Sequence, residues 1–256
     1  MPQTNPEIYH ASLKHYGYGY GLFQPETTQK LRPGQCGYID ESGRWQPLLD
    51  LTDNELLVAA GYTPIDPLQR SDPDYQTWDP RVASTVKGVE VKIEGEASAL
   101  TAGLPIDASV AMKYSTSANF GAILMCDDKV VVECYDLKDP FRDWLNQNAS
   151  KLLAKYPTLK ERGLYVATTT YSSSDIHINV WHNSQDEITL GFKAGVTGIG
   201  GLGPSVHWMR GRTTHGWSHF VTVSCPSTSL FPWLLNHVLG NWTKGHVFRW
   251  CKNQIP

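Results

Sequence analysis

The sequence predicts an α+β chain: a twisted antiparallel sheet with flanking helices, and within it two long amphipathic β-hairpins. Three observations carry this. Apolar and polar residues alternate with period two over 89–99 and again over 110–124, about twice the usual strand length of five or six residues. Helical periodicity is confined to a few short stretches. The 256 residues include 22 glycines and 16 prolines, which demands many turns and argues against an all-helical chain.

The elements follow in order. A first helix is capped by Asn5, with Pro6 at a start position where its missing N–H costs nothing. Tyr9, Ser12, Leu13 and Tyr16 share one face of it, and Gly17 ends it. Strands are expected at 35–39 and 44–49, joined at Asp40-Glu41-Ser42-Gly43. Thr52-Asp53-Asn54-Glu55 is a capping box that opens a short helix to Ala60. The Pro- and Asp-rich stretch 63–80 reads as a loop.

On 89–99, Val89, Val91, Ile93, Gly95, Ala97 and Ala99 occupy one face. Glu90, Lys92, Glu94, Glu96 and Ser98 occupy the other. On 110–124, Val110, Met112, Tyr114, Thr116, Ala118, Phe120, Ala122 and Leu124 face one way; Lys113, Ser115, Ser117 and Asn119 face the other. A strand over 129–134 leads to a helix over 140–156, whose buried stripe is Phe141, Trp144, Leu145, Asn148, Leu152 and Tyr156; Pro157 closes it. A second amphipathic pair begins at 164–171 and 176–180, with Ile176, Ile178 and Val180 on the face that Ile188, Leu190 and Phe192 continue. A glycine-rich linker (195–203), a return leg (206–224), an apolar segment (230–239) and a strand-like piece (246–250) complete one domain over 1–256.

Composition excludes several functions. The net charge is −3 and only 18% of residues are charged, so no nucleic-acid partner is expected. No stretch approaches the ~20 apolar residues of a spanning helix. The N-terminus has neither a basic start nor an apolar core, so no secretory leader is expected. The five cysteines are then expected to be reduced, in the cytoplasm. Gly-x-Ser-x-Gly, His-Glu-x-x-His and Cys-x-x-Cys do not occur. Residues 198–203 formally fit the dinucleotide fingerprint, but Pro204 and β-like sequence follow where a helix is required. His215 and His219 with Cys225 could be drawn as a metal site. Two histidines four apart suit a helix, however, and this stretch reads as a strand, so packed or solvated histidines are expected. The reading is a protein that is not an enzyme, with no cofactor and no metal.

Closed β-barrels and helices are the structures a bilayer admits, and a barrel stave alternates apolar and polar faces over about nine to eleven residues. Two long hairpins from one chain could supply such staves if several copies assemble. Of the nine tryptophans, Trp181, Trp208, Trp217, Trp233, Trp242 and Trp250 crowd the last third, as interfacial girdles do. In this reading Val89, Val91, Ile93, Val110, Met112, Tyr114, Ile176, Ile178 and Val180 meet lipid. Glu90, Lys92, Glu94, Glu96 and Lys113 line a lumen with a mild preference for cations. The alternative is a soluble β-rich ligand- or carbohydrate-binding module that grips its ligand with Trp and Tyr and never inserts.

Particular blocks resemble the gasdermin pore-forming domain. Gly163-Leu164-Tyr165-Val166-Ala167-Thr168-Thr169, a polar stretch and Asp175-Ile176-His177-Ile178-Asn179-Val180 look like the start of the second pore hairpin. Gly88-Val89-Glu90-Val91-Lys92-Ile93-Glu94-Gly95-Glu96 resembles the first. Tyr18-Gly19-Tyr20-Gly21-Leu22-Phe23-Gln24-Pro25 through Trp45-Gln46-Pro47-Leu48-Leu49-Asp50-Leu51 looks like short fungal members that act in allorecognition. Thr169 stands where many members have Glu. The resemblance implies binding of acidic phospholipid through Lys14, Lys30, Arg32 and Arg44. It further implies homo- or hetero-oligomers with an allelic variant, and a cytoplasmic monomer that permeabilises the plasma membrane in regulated cell death. In a chain of 256 residues, the C-terminal inhibitory domain usual in the family is not expected.

Overall fold

A computed structural model describes residues 3–92, 108–126, 129–182, 187–193, 208–210, 216–221 and 230–238. Of these, 91–92, 108–110, 187, 191–193, 208–210 and 230–238 are described by backbone alone. The predicted Ile93, Glu94 and Glu96, the glycine-rich linker, His215, Cys225 and the piece 246–250 lie outside the described residues.

The chain runs α1 (Asn5–Leu13), a 3-10 turn (Lys14–Tyr16), β1 (Tyr20–Thr27), β2 (Gln35–Ile39), β3 (Trp45–Asp50), α2 (Asn54–Ala59), β4 (Asp74–Gln76), β5 (Arg81–Val82), β6 (Val86–Lys92), β7 (Ala108–Thr116), β8 (Gly121–Cys126), β9 (Val130–Cys134), α3 (Asp139–Lys155), α4 (Leu159–Arg162), β10 (Tyr165–Ser173), β11 (Asp175–Trp181), β12 (Glu187–Lys193), β13 (Trp208–Arg210), β14 (Trp217–Val221) and β15 (Leu230–Val238). It is mostly β, with antiparallel pairing and few helices. The helix cap sits one residue before the expected Asn5: Thr4 is the cap, and its N–H donates to the Glu7 carboxylate at 2.9 Å.

Two compact units emerge, each assembled from three stretches of chain. One comprises 16–75, 131–172 and 224–256. Its sheet runs β1-β15-β10-β2-β3, with β9 on β10 and β4 on β9. The expected loop over 63–80 therefore contains a strand, β4, and a bridge from Arg70 to Tyr135. The apolar segment 230–239 supplies β15, between β1 and β10. The β1–β15 register shifts between Gly21 and Glu26, where Pro25 and Pro232 each lack an N–H for the ladder. The stripe on α3 is as expected: Phe141, Trp144, Leu145, Asn148 and Leu152 are buried and Tyr156 packs beside them. Asn148 and Trp144 also hold the chain at Thr63. The Trp144 Nε1–H donates to the Thr63 carbonyl at 2.7 Å, and Asn148 Oδ1 accepts from the Thr63 N–H at 3.1 Å.

The other unit comprises 1–15, 76–130 and 173–223. It holds two four-stranded antiparallel sheets, β13-β12-β7-β6 and β14-β11-β8-β5. Four passages of chain supply both sheets in the same order: β5 and β6, β7 and β8, β11 and β12, and β13 and β14. Helix α1 packs on β5, β8 and β11, burying Ile8, Tyr9, Ser12 and Leu13.

Candidate functional site

The candidate site is this set of four passages. Within the two predicted hairpins, β6–β7 and β12–β13 lie side by side because β7 pairs with β12, whereas 164–171, expected to open the second hairpin, forms β10 in the sheet of the other unit. Directly opposed residues of an antiparallel pair project to one face. Ile188 opposes Tyr114, Leu190 opposes Met112 and Phe192 opposes Val110, so β7 and β12 agree on their apolar face. Tyr114, Ile188 and Leu190 are buried in one cluster, with Met112 packed against it. Lys113 on the opposite face is exposed.

Strand β6 departs from the expected faces. Val89 opposes Lys113 and Val91 opposes Ala111, whereas Glu90 opposes Met112 and Lys92 opposes Val110. In this register the residues expected to share an apolar face fall on opposite sides, and Val89 is 58% exposed. The reason lies at Val86 and Gly88. Val86 is buried in the cluster and opposes Thr116, so the even positions of β6 take the face of Met112 and Tyr114, although Gly88 and Glu90 there are exposed. Gly88 then lies against Met112 and Tyr114, where a Cβ would come within 3.1 Å of both side chains.

The division into two sheets produces a second departure. The sequence keeps one apolar parity from Val110 to Leu124, but the cluster that takes Tyr114 takes Ile123 and Met125 in β8. Likewise it takes Trp181 with Ile188 and Leu190, not Ile176, Ile178 or Val180. Those three residues oppose Cys126, Leu124 and Ala122 on the other face of β8 and β11. Tyr9 of α1 lies near Cys126 on that face, and burial there holds its hydroxyl well above the usual tyrosine range. Both faces of β8 and β11 are therefore buried. At the turn between β7 and β8, the Thr116 hydroxyl donates to the Phe120 carbonyl at 3.1 Å. Gly121 opposes Trp181, whose indole fills the space a Cβ would need.

The four basic residues are exposed. Lys14 follows α1 in one unit, and Lys30, Arg32 and Arg44 belong to the other. Lys30 pairs with Glu26 at 3.4 Å, Arg32 pairs with Asp50, and Arg44 donates to Gln24. His219 stands in β14 opposite His177 of β11, a partner that spacing along the chain did not identify.

Two solved structures resemble this chain at low similarity. One is a bacterial gasdermin from Bradyrhizobium tropiciagri, with 9% identity, a TM-score of 0.31 and 88% of each chain covered. The other is the Gasdermin A3 membrane pore, with 10% identity, a TM-score of 0.27, and 91% of this chain and 86% of that one covered. No family model matches the chain, and no curated protein does.

Proposed function

We propose that the chain forms membrane pores: its four passages straighten, and several copies join them into a closed β-barrel. One observation carries the reading. Apolar parity in the sequence runs unchanged through both long passages, Met112–Tyr114–Ala122–Leu124 and Ile176–Ile178–Ile188–Leu190. The strands bury opposite parities in the two sheets. The alternation thus matches one continuous stave better than the separate strands that contain it. Each long passage also exceeds the roughly nine to eleven residues of a tilted membrane-spanning strand. In such a barrel Met112, Tyr114, Ile178, Ile188 and Leu190 meet lipid, and Lys113 lines the lumen.

For β6 the reading adds a step. Its apolar Val89 and Val91 join the lipid face, and Glu90 and Lys92 the lumen, if β6 slips one residue against β7, since such a slip reverses every face. The finer parts rest on the sequence resemblance: a fungal allorecognition role, recruitment by acidic phospholipid through Lys14, Lys30, Arg32 and Arg44, and a divergent copy as trigger at the plasma membrane. Each basic residue near an anionic surface contributes about 1 kcal/mol.

Dye-loaded liposomes with and without acidic lipid test this, with the protein alone and mixed with a divergent copy. Leakage with ring-shaped oligomers is expected. Its absence in every mixture would favour the soluble binding module.

A further inference from the structure

We infer that Asp175, His177 and His219 form a binding site for a divalent transition-metal ion, with zinc as its probe. Nothing in the pore reading requires this site. Strands β11 and β14 pair antiparallel with His177 directly opposite His219, and Asp175 lies two residues before His177, on the same face. Nε2 of His177 is 3.0 Å from Asp175 Oδ1, and Nε2 of His219 is 2.8 Å from the same oxygen. The two imidazoles lie nearly parallel, 10° apart in plane with centroids 3.9 Å apart. Both rings thus aim the same nitrogen at one carboxylate oxygen, and the donor atoms lie within 4.8 Å of one another.

The size and chemistry of this triangle suit a metal. Tetrahedral zinc bonds of about 2.0–2.1 Å place donor atoms roughly 3.3 Å apart, so the group needs to expand by only a few tenths of an ångström around Asp175. Two imidazoles and a carboxylate form a borderline donor set, which selects zinc, nickel or copper over calcium or magnesium. His177 is 5% exposed and its ring meets Trp217 edge-to-face at 6.4 Å, so one ligand is held in place. The His219 side chain is 40% exposed, which lets the ion enter and water take the fourth position. Binding replaces the shared hydrogen bonds and opens the parallel rings. It fastens β14, an edge strand, to β11 in its present register.

The test titrates zinc into the purified full chain against a chromophoric chelator, without membranes. One equivalent is expected to bind, and thermal stability to rise with it. His219→Ala, at an exposed position, and Asp175→Asn, which preserves volume, should each weaken binding at least about 100-fold, the upper end of what loss of an outer-shell partner costs. Cobalt should give weak visible bands of a tetrahedral nitrogen–oxygen site without thiolate charge transfer. Wild-type affinity in both variants, or a thiolate band that survives in His219→Ala, would overturn the assignment. So would the absence of stoichiometric zinc binding to the wild-type chain.

Discussion

The sheets β13-β12-β7-β6 and β14-β11-β8-β5 are cut from the same four passages of chain, yet they are buried differently. In the first, inward Tyr114, Ile188 and Leu190 alternate with exposed Lys113 and half-exposed Thr189. In the second, Ala122, Ile123, Leu124 and Met125 are all buried, as is every residue from Ile176 to Trp181. Helix α1 accounts for part of the difference, because it packs on β5, β8 and β11. A strand with one covered face displays its geometry as alternation, whereas a strand with two covered faces reads as a continuous apolar run. The comparison also separates two roles for one pattern: alternation is used as burial in the first sheet and is overridden in the second.

The largest expected effect tests whether the first sheet must change register. A disulfide between Val89→Cys and Lys113→Cys, which are directly opposed and exposed, would lock β6 on β7. Leakage from liposomes should be abolished when the bond forms and restored by reduction. Leakage unaffected by the formed bond would remove the one-residue slip.

The contrast in burial gives the next effect. Ile178 is fully buried, so Ile178→Ala should cost about 3–4 kcal/mol in urea unfolding, within the usual range for emptying a core site. A loss below about 1 kcal/mol would mean that the second sheet is not covered on both faces.

The helix that provides this cover carries its own pH dependence. Burial, assisted by the charge of nearby Lys14, lowers His10 from 6.5 to about 4. The folded value lies below the unfolded one, so the unfolded chain binds more protons between these pH values. Stability should therefore fall as pH drops through this window, by about 3 kcal/mol at most. Denaturation midpoints measured from pH 7 to 4 should show this slope in the wild type and a weaker one in His10→Gln. Equal slopes would separate α1 from the acid response.

The smallest effect belongs to the exposed face of the first sheet. Val89→Ala should change stability by no more than about 0.5 kcal/mol, as for other surface positions. A loss similar to that of Ile178→Ala would show that a partner covers this face in solution.

Local chemistry made much of the fold legible. The stripe Phe141, Trp144, Leu145, Asn148 and Leu152 has helical spacing, and the structure buries it. The strand at 35–39 and the alternation of 112–116 were readable for the same reason, since neighbours along the chain carry the signal. The strand within 63–80 was not legible, because β4 is short and owes its pairing to β9, distant in sequence. At the candidate site, the apolar residues of β7 and β12 were readable, whereas the parity of β6 was not. Val86 and Gly88 set that parity through contacts with β7, and a period-two pattern alone does not say which of its two faces turns inward.

By itself the sequence determined the main helix and several of the strands, that two regions carry long amphipathic alternation, and that this alternation keeps its phase through 117–120 and 182–186. These are properties of residue order and need no partner. The tertiary structure alone decided that β7 pairs with β12, that opposite parities turn inward in the two sheets, and that His177 meets His219 and Asp175. Each of these depends on register between segments far apart in the chain, and register is set by packing of whole faces, which no local spacing encodes.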